Sequence, residues 1–364
     1  MERRNAWHEY TEQQLQEIDT LATKYRHFLD HGKTERECVD QIVAAAEAAG
    51  YRNMDSIIKE GTTLKAGDKV YYVHMKKAVA MVNIGTEPIE QGMNILGAHI
   101  DSPRLDVKQN PFYVDSDLAL LDTHYYGGIK KYQWVTMPLA IHGVVVKRDG
   151  TVINLAIGES STDPVFCVTD LLPHLGQEQM EKKAAKVVEG EQLDLLIGSR
   201  PVKGELKDGV KSYVLQVLQE QYGFDEEDFL SAELEIVPAG AARELGFDRS
   251  MIIGYGQDDR VCAYTSLVAM LETKNVSRTT CTLLVDKEEI GSVGATGMQS
   301  RFFENFMAEL LEAMGHTSSL AVRRTLSNSH MLSSDVSAGF DPLYASAFEK
   351  KNAAFLGRGV VFNK

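Results

Sequence analysis

An imidazole and several carboxylates stand in this sequence where metal-assisted hydrolysis would need them. His99-Ile100-Asp101 closes a short apolar run. In an extended segment residues i and i+2 project to one side, so ring and carboxylate share a face. The ring can bind a metal, and the carboxylate can orient either the ring or a water. Taken alone, the pair is a weak signal and reads as a strand-end histidine held by its neighbour. Gly256-Gln257-Asp258-Asp259-Arg260 precedes an apolar stretch of helical length. Acidic residues at such a place also serve as caps favoured by the helix dipole. Val285-Asp286-Lys287-Glu288-Glu289 sets two adjacent glutamates after an apolar strand, with Gly291 and Gly294 beyond them to turn the chain. One of those carboxylates can hold a metal while its neighbour takes a proton from water. Ser333-Ser334-Asp335 adds a further Asp, which by itself reads as a turn or cap.

No competing nucleophile motif is present. Gly158-Glu159-Ser160-Ser161 is not GxSxG, and there is neither a P-loop nor a GxGxxG fingerprint. Mixed nitrogen and oxygen ligands suit zinc first, with manganese or cobalt also chemically admissible. Two such ions ~3.5–4 Å apart would bind a carbonyl and generate hydroxide near neutral pH. Cys38, Cys167, Cys262 and Cys281 are far apart and form no CxxC pair, so reduced thiols rather than a thiolate metal site are expected.

The elements that must position these groups are legible in outline. Thr11 to Asp30 and Thr34 to Gly50 read as helices, the second opened by a Thr34/Glu37 capping-box spacing. Val70–Val73, Ala78–Val82 and Met93–Leu96 read as strands, the last delivering His99 and Asp101 at its carboxyl end, where open α/β sheets bind ligands. Residues 109–245 differ in character. They carry β-rich pieces at Trp134–Val146, Val152–Ala156 and Ala232–Val237, a Lys/Glu-rich helical stretch at Gln177–Glu189 and another at Tyr213–Glu220. They read as a second domain inserted into the first. The α/β pattern returns with a buried helix over Val261–Glu272, a core strand over Thr279–Val285 and a helix over Phe302–Met314.

Composition narrows the class. The chain has 364 residues, 44% hydrophobic and 25% charged, which suffices for a large core without disulfides. A formal net charge of −14 argues against binding nucleic acid or an anionic membrane. The first residues lack a signal-peptide pattern, and no apolar run reaches membrane-spanning length, so a cytoplasmic location is expected.

Long motifs in a fixed order make a resemblance explicit. GAHIDSPRLDVK (97–108), DLLPHL (170–175), GFDRSMIIGYGQDDR (246–260), DKEEIGSVGATGMQS (286–300) and SSDVSAGFDP (333–342) resemble the M18 family of metalloaminopeptidases. The resemblance implies an α/β fold: a mixed-sheet two-metal peptidase domain (1–108 and 246–364) interrupted by a β-rich dimerisation domain (109–245). It implies two divalent metal ions, peptide substrates, and a homo-oligomer in which dimers build a dodecamer. It makes His99, Asp258, Glu289 and Asp335 metal ligands, with Asp258 bridging, Asp101 the orienting carboxylate and Glu288 the general base. His174 would approach a neighbouring subunit's site or serve only at the interface. The family continues past the position of Lys364 to a final metal-binding histidine. The expectation is therefore three protein ligands for one metal and two for the other, with an edge of the catalytic sheet exposed. Either the sequence is part of a longer product or the protein has lost a site. His316 and His330 precede Asp335 and do not occupy the missing position.

Removal of the N-terminal residue from peptides by activated water is the function expected. Two alternatives stay open: another two-metal amidase, such as a deacetylase or carboxypeptidase, and a non-catalytic assembly protein on the same fold. Specificity is undecided. An acidic substrate would need a cation in its pocket, and Arg104, Lys108, Lys130 and Lys131 are the candidates.

Overall fold

Thr11 and Thr34 each cap a helix through reciprocal hydrogen bonds with the residue three positions on, Gln14 and Glu37. These boxes satisfy amides that the first turn would leave unpaired, and they fix the starts of α1 (Glu12–Asp30) and α2 (Glu35–Ala48). The computed structural model describes residues 4–363. After α2 the chain forms β1 (Arg52–Asn53), α3 (Met54–Glu60), β2 (Lys69–His74), β3 (Ala78–Asn83) and β4 (Asn94–His99). It then leaves for a second sheet of β5 (Arg104–Asp115), β6 (Leu118–Tyr126), β7 (Leu139–Val146), β8 (Val152–Ile157), β9 (Leu195–Gly198) and β10 (Ala232–Pro238). Between β8 and β9 lie the short helices α4 (Gln177–Met180) and α5 (Ala184–Val187), and between β9 and β10 lies α6 (Gly209–Val217). A ribbon of β11 (Arg243–Leu245) and β12 (Met251–Ile253) leads back to α7 (Gln257–Glu272), β13 (Thr280–Val285), α8 (Phe302–Ala313), α9 (Ser319–Ser327) and β14 (His330–Ser333).

The first sheet has the order β1-β2-β3-β13-β4-β14. Strands β13, β4 and β14 are mutually parallel, with Val285 opposite His99 and Ser333 opposite Gly97. Their carboxyl ends therefore open on one edge. Both faces are covered, and alternation along the central strands serves the two layers in turn. Ala78, Ala80 and Val82 of β3 face the core beneath α3, α8 and α9, with Ile57, Phe306 and Leu310. Val79 and Met81 face the core beneath α1, α2 and α7, with Leu29, Ile42 and Leu267. The fold is thus mixed α/β, three layers deep. Among the described residues, no helix is long and apolar enough to cross a membrane.

The second sheet is antiparallel, in the order β8-β7-β10-β5-β6-β9. Its core gathers Leu105, Ile141, Leu155, Phe229 and Ile236. The boundary expected between residues 108 and 109 falls inside β5, whose ladder with β6 begins at Arg104. Strands β5 and β6 were not expected. The register shifts between Val107 and Phe112, and the half-buried Lys108 with the exposed Gln109 and Asn110 interrupts the apolar alternation there. The helix expected over Gln177–Glu189 is instead the two short pieces α4 and α5, which present no apolar stripe broad enough to bury one. The helix expected over Tyr213–Glu220 starts earlier, as α6, and ends in a π-turn over Leu218–Tyr222.

Buried charges join the two sheets. The Arg104 guanidinium, 3% exposed, reaches Glu35 at 2.8 Å, Asp106 at 2.7 Å and Glu235 at 3.3 Å. Burial disfavours both glutamates as anions; Arg104 nevertheless holds Glu35 well below the usual carboxylate range, while Glu235 is driven well above it. Lys77 and Arg36 both meet Glu233. His142 lies between Glu37 at 2.7 Å and Glu159 at 3.0 Å. Removing one member of such a cluster leaves its partners buried and uncompensated. Arg104→Ala is expected to lower stability by about 3–5 kcal/mol, measured by urea denaturation; an unchanged midpoint would contradict the role given to this seam.

Candidate metal centre

Three parallel strand ends and one helix start supply the side chains. His99 is the last residue of β4, and Asp101 follows it on the loop. Glu288 and Glu289 follow β13 in a single 3-10 turn, entered through Lys287 at φ 67° and left through Gly291 at φ 90°. Asp335 follows β14. Asp258 and Asp259 occupy the first turn of α7, where the backbone departs from helical angles and their shared peptide is cis. Arg260, fully buried, ties that turn to the sheet by donating to the carbonyls of Ile100 and Lys33, each at 3.0 Å. Gly256 makes the approach possible, since a Cβ there would fall 2.0 Å from the Arg260 guanidinium. The Ser102 hydroxyl donates to the Asp258 carbonyl at 2.6 Å, closing the gap between loop and helix.

These residues form overlapping groups. His99, Asp258 and Glu289 can bring one donor atom each within 4.8 Å of one another. So can His99, Glu288 and Asp335, and likewise Asp258, Asp259 and Asp335. The His99 Nε2 atom lies 3.4 Å from Asp258 Oδ1 and 3.7 Å from Glu288 Oε2. Its other nitrogen is 3.2 Å from Asp101 Oδ1 and 3.0 Å from the Asp101 carbonyl, so Nε2 is the atom turned toward the carboxylates. Asp101 is 0% exposed. Its Oδ1 accepts from the Glu288 amide at 3.2 Å, and its Oδ2 from the Glu289 amide at 3.1 Å and the Tyr126 hydroxyl at 2.7 Å.

The charge balance fits a divalent cation. Burial disfavours ionised Asp101, but His99 and Tyr126 hold its carboxyl below the usual range. Burial likewise opposes a charged His99, yet the Asp101 contact raises the ring to about 9. Glu289 is pushed up to about 7 by burial and by Asp258 beside it. Asp259 is raised to about 7, chiefly by burial, and both its carboxylate oxygens are buried without a hydrogen-bond partner. Crowded acceptors, an inward-facing imidazole and orphaned buried oxygens make a mixed N/O donor set of the kind that zinc takes.

The remaining candidates lie apart. His174 is exposed in the second sheet's domain, in a groove it shares with Asp170 and Glu191, and belongs to none of the metal-type clusters found among the described residues. His330 pairs with Asn94, at the opposite end of the ladder from His99. His316 faces Glu90 at 3.6 Å. All four cysteines are free. Of the candidate cations, Arg104 is locked in the seam, Lys108 is paired with Asp122 at 2.7 Å, and Lys131 lies over the Tyr125 ring. Lys130 alone of these borders the centre, in a hollow of about 350 Å³ with Ile129, Gln133, Trp134 and Asp258. Sequence reasoning missed the contacts made by Tyr126 and Ser102, because nothing in spacing or periodicity marks a hydroxyl that meets a distant carboxylate or carbonyl.

A family model described as Aminopeptidase I zinc metalloprotease (M18) matches residues 28–364. Over 364 residues the chain is 60% identical to a probable M18 family aminopeptidase 1 of Clostridium acetobutylicum, covering 100% of this chain and 78% of that protein. The structure superposes on the crystal structure of an M18-family aminopeptidase from Thermotoga maritima with a TM-score of 0.92 at 42% identity, over 99% of this chain and 78% of the other. For the crystal structure of aminopeptidase I from C. acetobutylicum the TM-score is 0.89 at 58% identity, over 99% and 78% of the two chains.

A cation entering this centre must displace protons, because His99 keeps its proton up to about pH 9 and Glu289 and Asp259 keep theirs up to about pH 7. Zinc affinity is expected to rise as pH goes from about 6 to about 8. Chelator competition across that range checks it, and a flat profile would contradict the charge arrangement.

Proposed function

Since the chain belongs to the M18 family of zinc metalloproteases, whose named relatives are aminopeptidases, we propose that it hydrolyses the N-terminal peptide bond of short peptides at the centre formed by His99, Asp258, Glu288, Glu289 and Asp335. The observation that carries this reading is the meeting of two adjacent glutamates with a histidine and further aspartates at ligand distance, on one edge of the sheet. His99, Asp258 and Asp335 would hold one ion, and Asp258 and Glu289 would contribute to a second. When bound, the ions supply Lewis acidity, polarising the scissile carbonyl and acidifying water. Glu288 takes the proton of the attacking water on a carboxylate oxygen and returns it to the departing amine. Asp101 keeps the His99 ring turned so that Nε2 faces the ions. The substrate's free amine is drawn to this acidic centre, and its first side chain lies in the hollow bounded by Ile129, Lys130, Gln133 and Trp134.

The remaining expectations are part of the same proposal. Zinc is the native metal, with manganese or cobalt able to replace it. The exposed Leu171, Leu172 and Leu175 around His174, at 53%, 52% and 69%, support a homo-oligomeric contact on that face, and dimers building a dodecamer are the assembly proposed. Four free thiols and an acidic surface fit a cytoplasmic location.

Glu288→Gln is expected to retain zinc while kcat falls by about 10²–10⁴-fold, followed on an aminoacyl anilide with metal content determined in parallel. Near-wild-type turnover would sink the assignment of the base. Cleavage of the N-acetylated anilide in preference to the free amine would favour a deacetylase or carboxypeptidase, and zinc binding without any hydrolysis would favour an assembly protein.

A further inference from the structure

Tyr126 is no metal-type residue, yet its phenol reaches the carboxylate behind the centre. Tyr126 is the last residue of β6 and so belongs to the second sheet, whereas Asp101 follows β4 of the first. The hydroxyl donates to Asp101 Oδ2 at 2.7 Å, the shortest contact that this carboxylate makes with the groups around it. The same oxygen accepts the Glu289 amide, and the opposite one meets the Glu288 amide and the His99 ring. Rotation of Asp101 would therefore disturb a metal ligand, a general base and a second ligand together.

The phenol is itself held in place. Its ring is 6% exposed, the Arg104 guanidinium lies 3.9 Å from the ring centroid, and the Lys287 ammonium lies 5.9 Å from it. Gly127 follows at φ 74°, and a Cβ there would meet Glu289 Cβ at 3.2 Å and Oε2 at 3.3 Å. The strap leaving the second sheet thus passes directly against a ligand side chain. Burial and the neighbouring Asp101 charge hold the phenol well above its usual pKa, so at neutral pH it remains a donor.

We propose that Tyr126 is a positioning residue for the metal centre: from the inserted sheet it fixes the Asp101 carboxylate, and through it the His99 ring and the backbone of Glu288 and Glu289. Its kinetic consequence rests on the hydrolase reading; its effect on metal binding does not. A tyrosine that merely fills the seam would affect stability and nothing else, and Tyr126→Phe separates the two because it removes one hydrogen bond and keeps the ring.

Tyr126→Phe is expected to weaken zinc binding and to lower kcat, each by about 10–100-fold, with KM little changed. The melting midpoint of the metal-depleted protein should stay close to that of the wild type. Tyr126→Leu, which also loses the stacking on Arg104, should melt lower yet match Tyr126→Phe in zinc affinity. In an Asp101→Ala background the effect of Tyr126→Phe on zinc should vanish, since the partner is gone. Tyr125→Phe, at the exposed neighbouring residue, should change neither quantity. Zinc affinity and kcat of Tyr126→Phe within about twofold of wild type, against the loss expected when the carboxylate that orients a ligand is itself released, would overturn the proposal, as would an undiminished effect without Asp101. A wild-type chain that binds zinc but leaves the anilide intact would sink the hydrolase reading, while the zinc comparison would still decide the role of Tyr126.

Discussion

A carboxylate sealed from water stays charged only if donors meet both of its oxygens, and Asp101 satisfies that condition with groups from widely separated parts of the chain. The His99 ring comes from the same loop, the Glu288 and Glu289 amides from the turn after β13, and the Tyr126 hydroxyl from the second sheet. Hydrogen bonds to a charged group contribute about 1.5–3 kcal/mol each, comparable in sum to the several kcal/mol that burying one ion costs. The arrangement is mutual. The donors keep Asp101 ionised, and the ionised Asp101 fixes the donors. The orientation of the imidazole, the path of the glutamate turn and the seating of the second sheet all follow from one buried charge.

Around that fixed point the other acids are arranged differently. Asp258, Glu288 and Asp335 are exposed and Glu289 is half-buried, so the acceptors face outward while their supports face inward. Buried pairing is concentrated at the seam, where Arg104 and Lys77 face the acidic side chains behind the centre. No such side-chain cation lies within salt-bridge reach of Asp258, Glu288, Glu289 or Asp335 among the described residues; only the His99 ring approaches them. Negative charge is compensated behind the centre and left concentrated in front of it, which is the field a divalent cation and a free amine would both enter.

Much of this was legible before any coordinates. The capping boxes at Thr11 and Thr34 announce their helices because capping is local, and the unbroken apolar run Ala78–Val82 announces a strand, which the fold buries on both faces. His99, Asp258, Glu288, Glu289 and Asp335 stand out because each is a metal-type residue at the end of an apolar element. Other features lie beyond local pattern. Strand β5 escapes notice because a register shift and exposed polar residues break its alternation. The part played by Arg104 cannot be inferred from a motif in which it resembles a substrate-binding cation, since only tertiary packing sets it between Glu35 and Glu235. Tyr126 is silent for the same reason: the value of its hydroxyl depends on a carboxylate 25 positions away, on the loop after a strand of the other sheet.

The strand order of the first sheet has a consequence for how the protein is made. Strands β3 and β4 are near in sequence but do not pair; β13 lies between them, bonded to both. On the ribosome that central strand emerges about 180 residues after β4. Until it does, β3 lacks a partner on one edge and β4 on both, whereas the six strands of the second sheet pair only with one another. The order of synthesis therefore favours early pairing of the second sheet, beside a first sheet waiting for its middle strand.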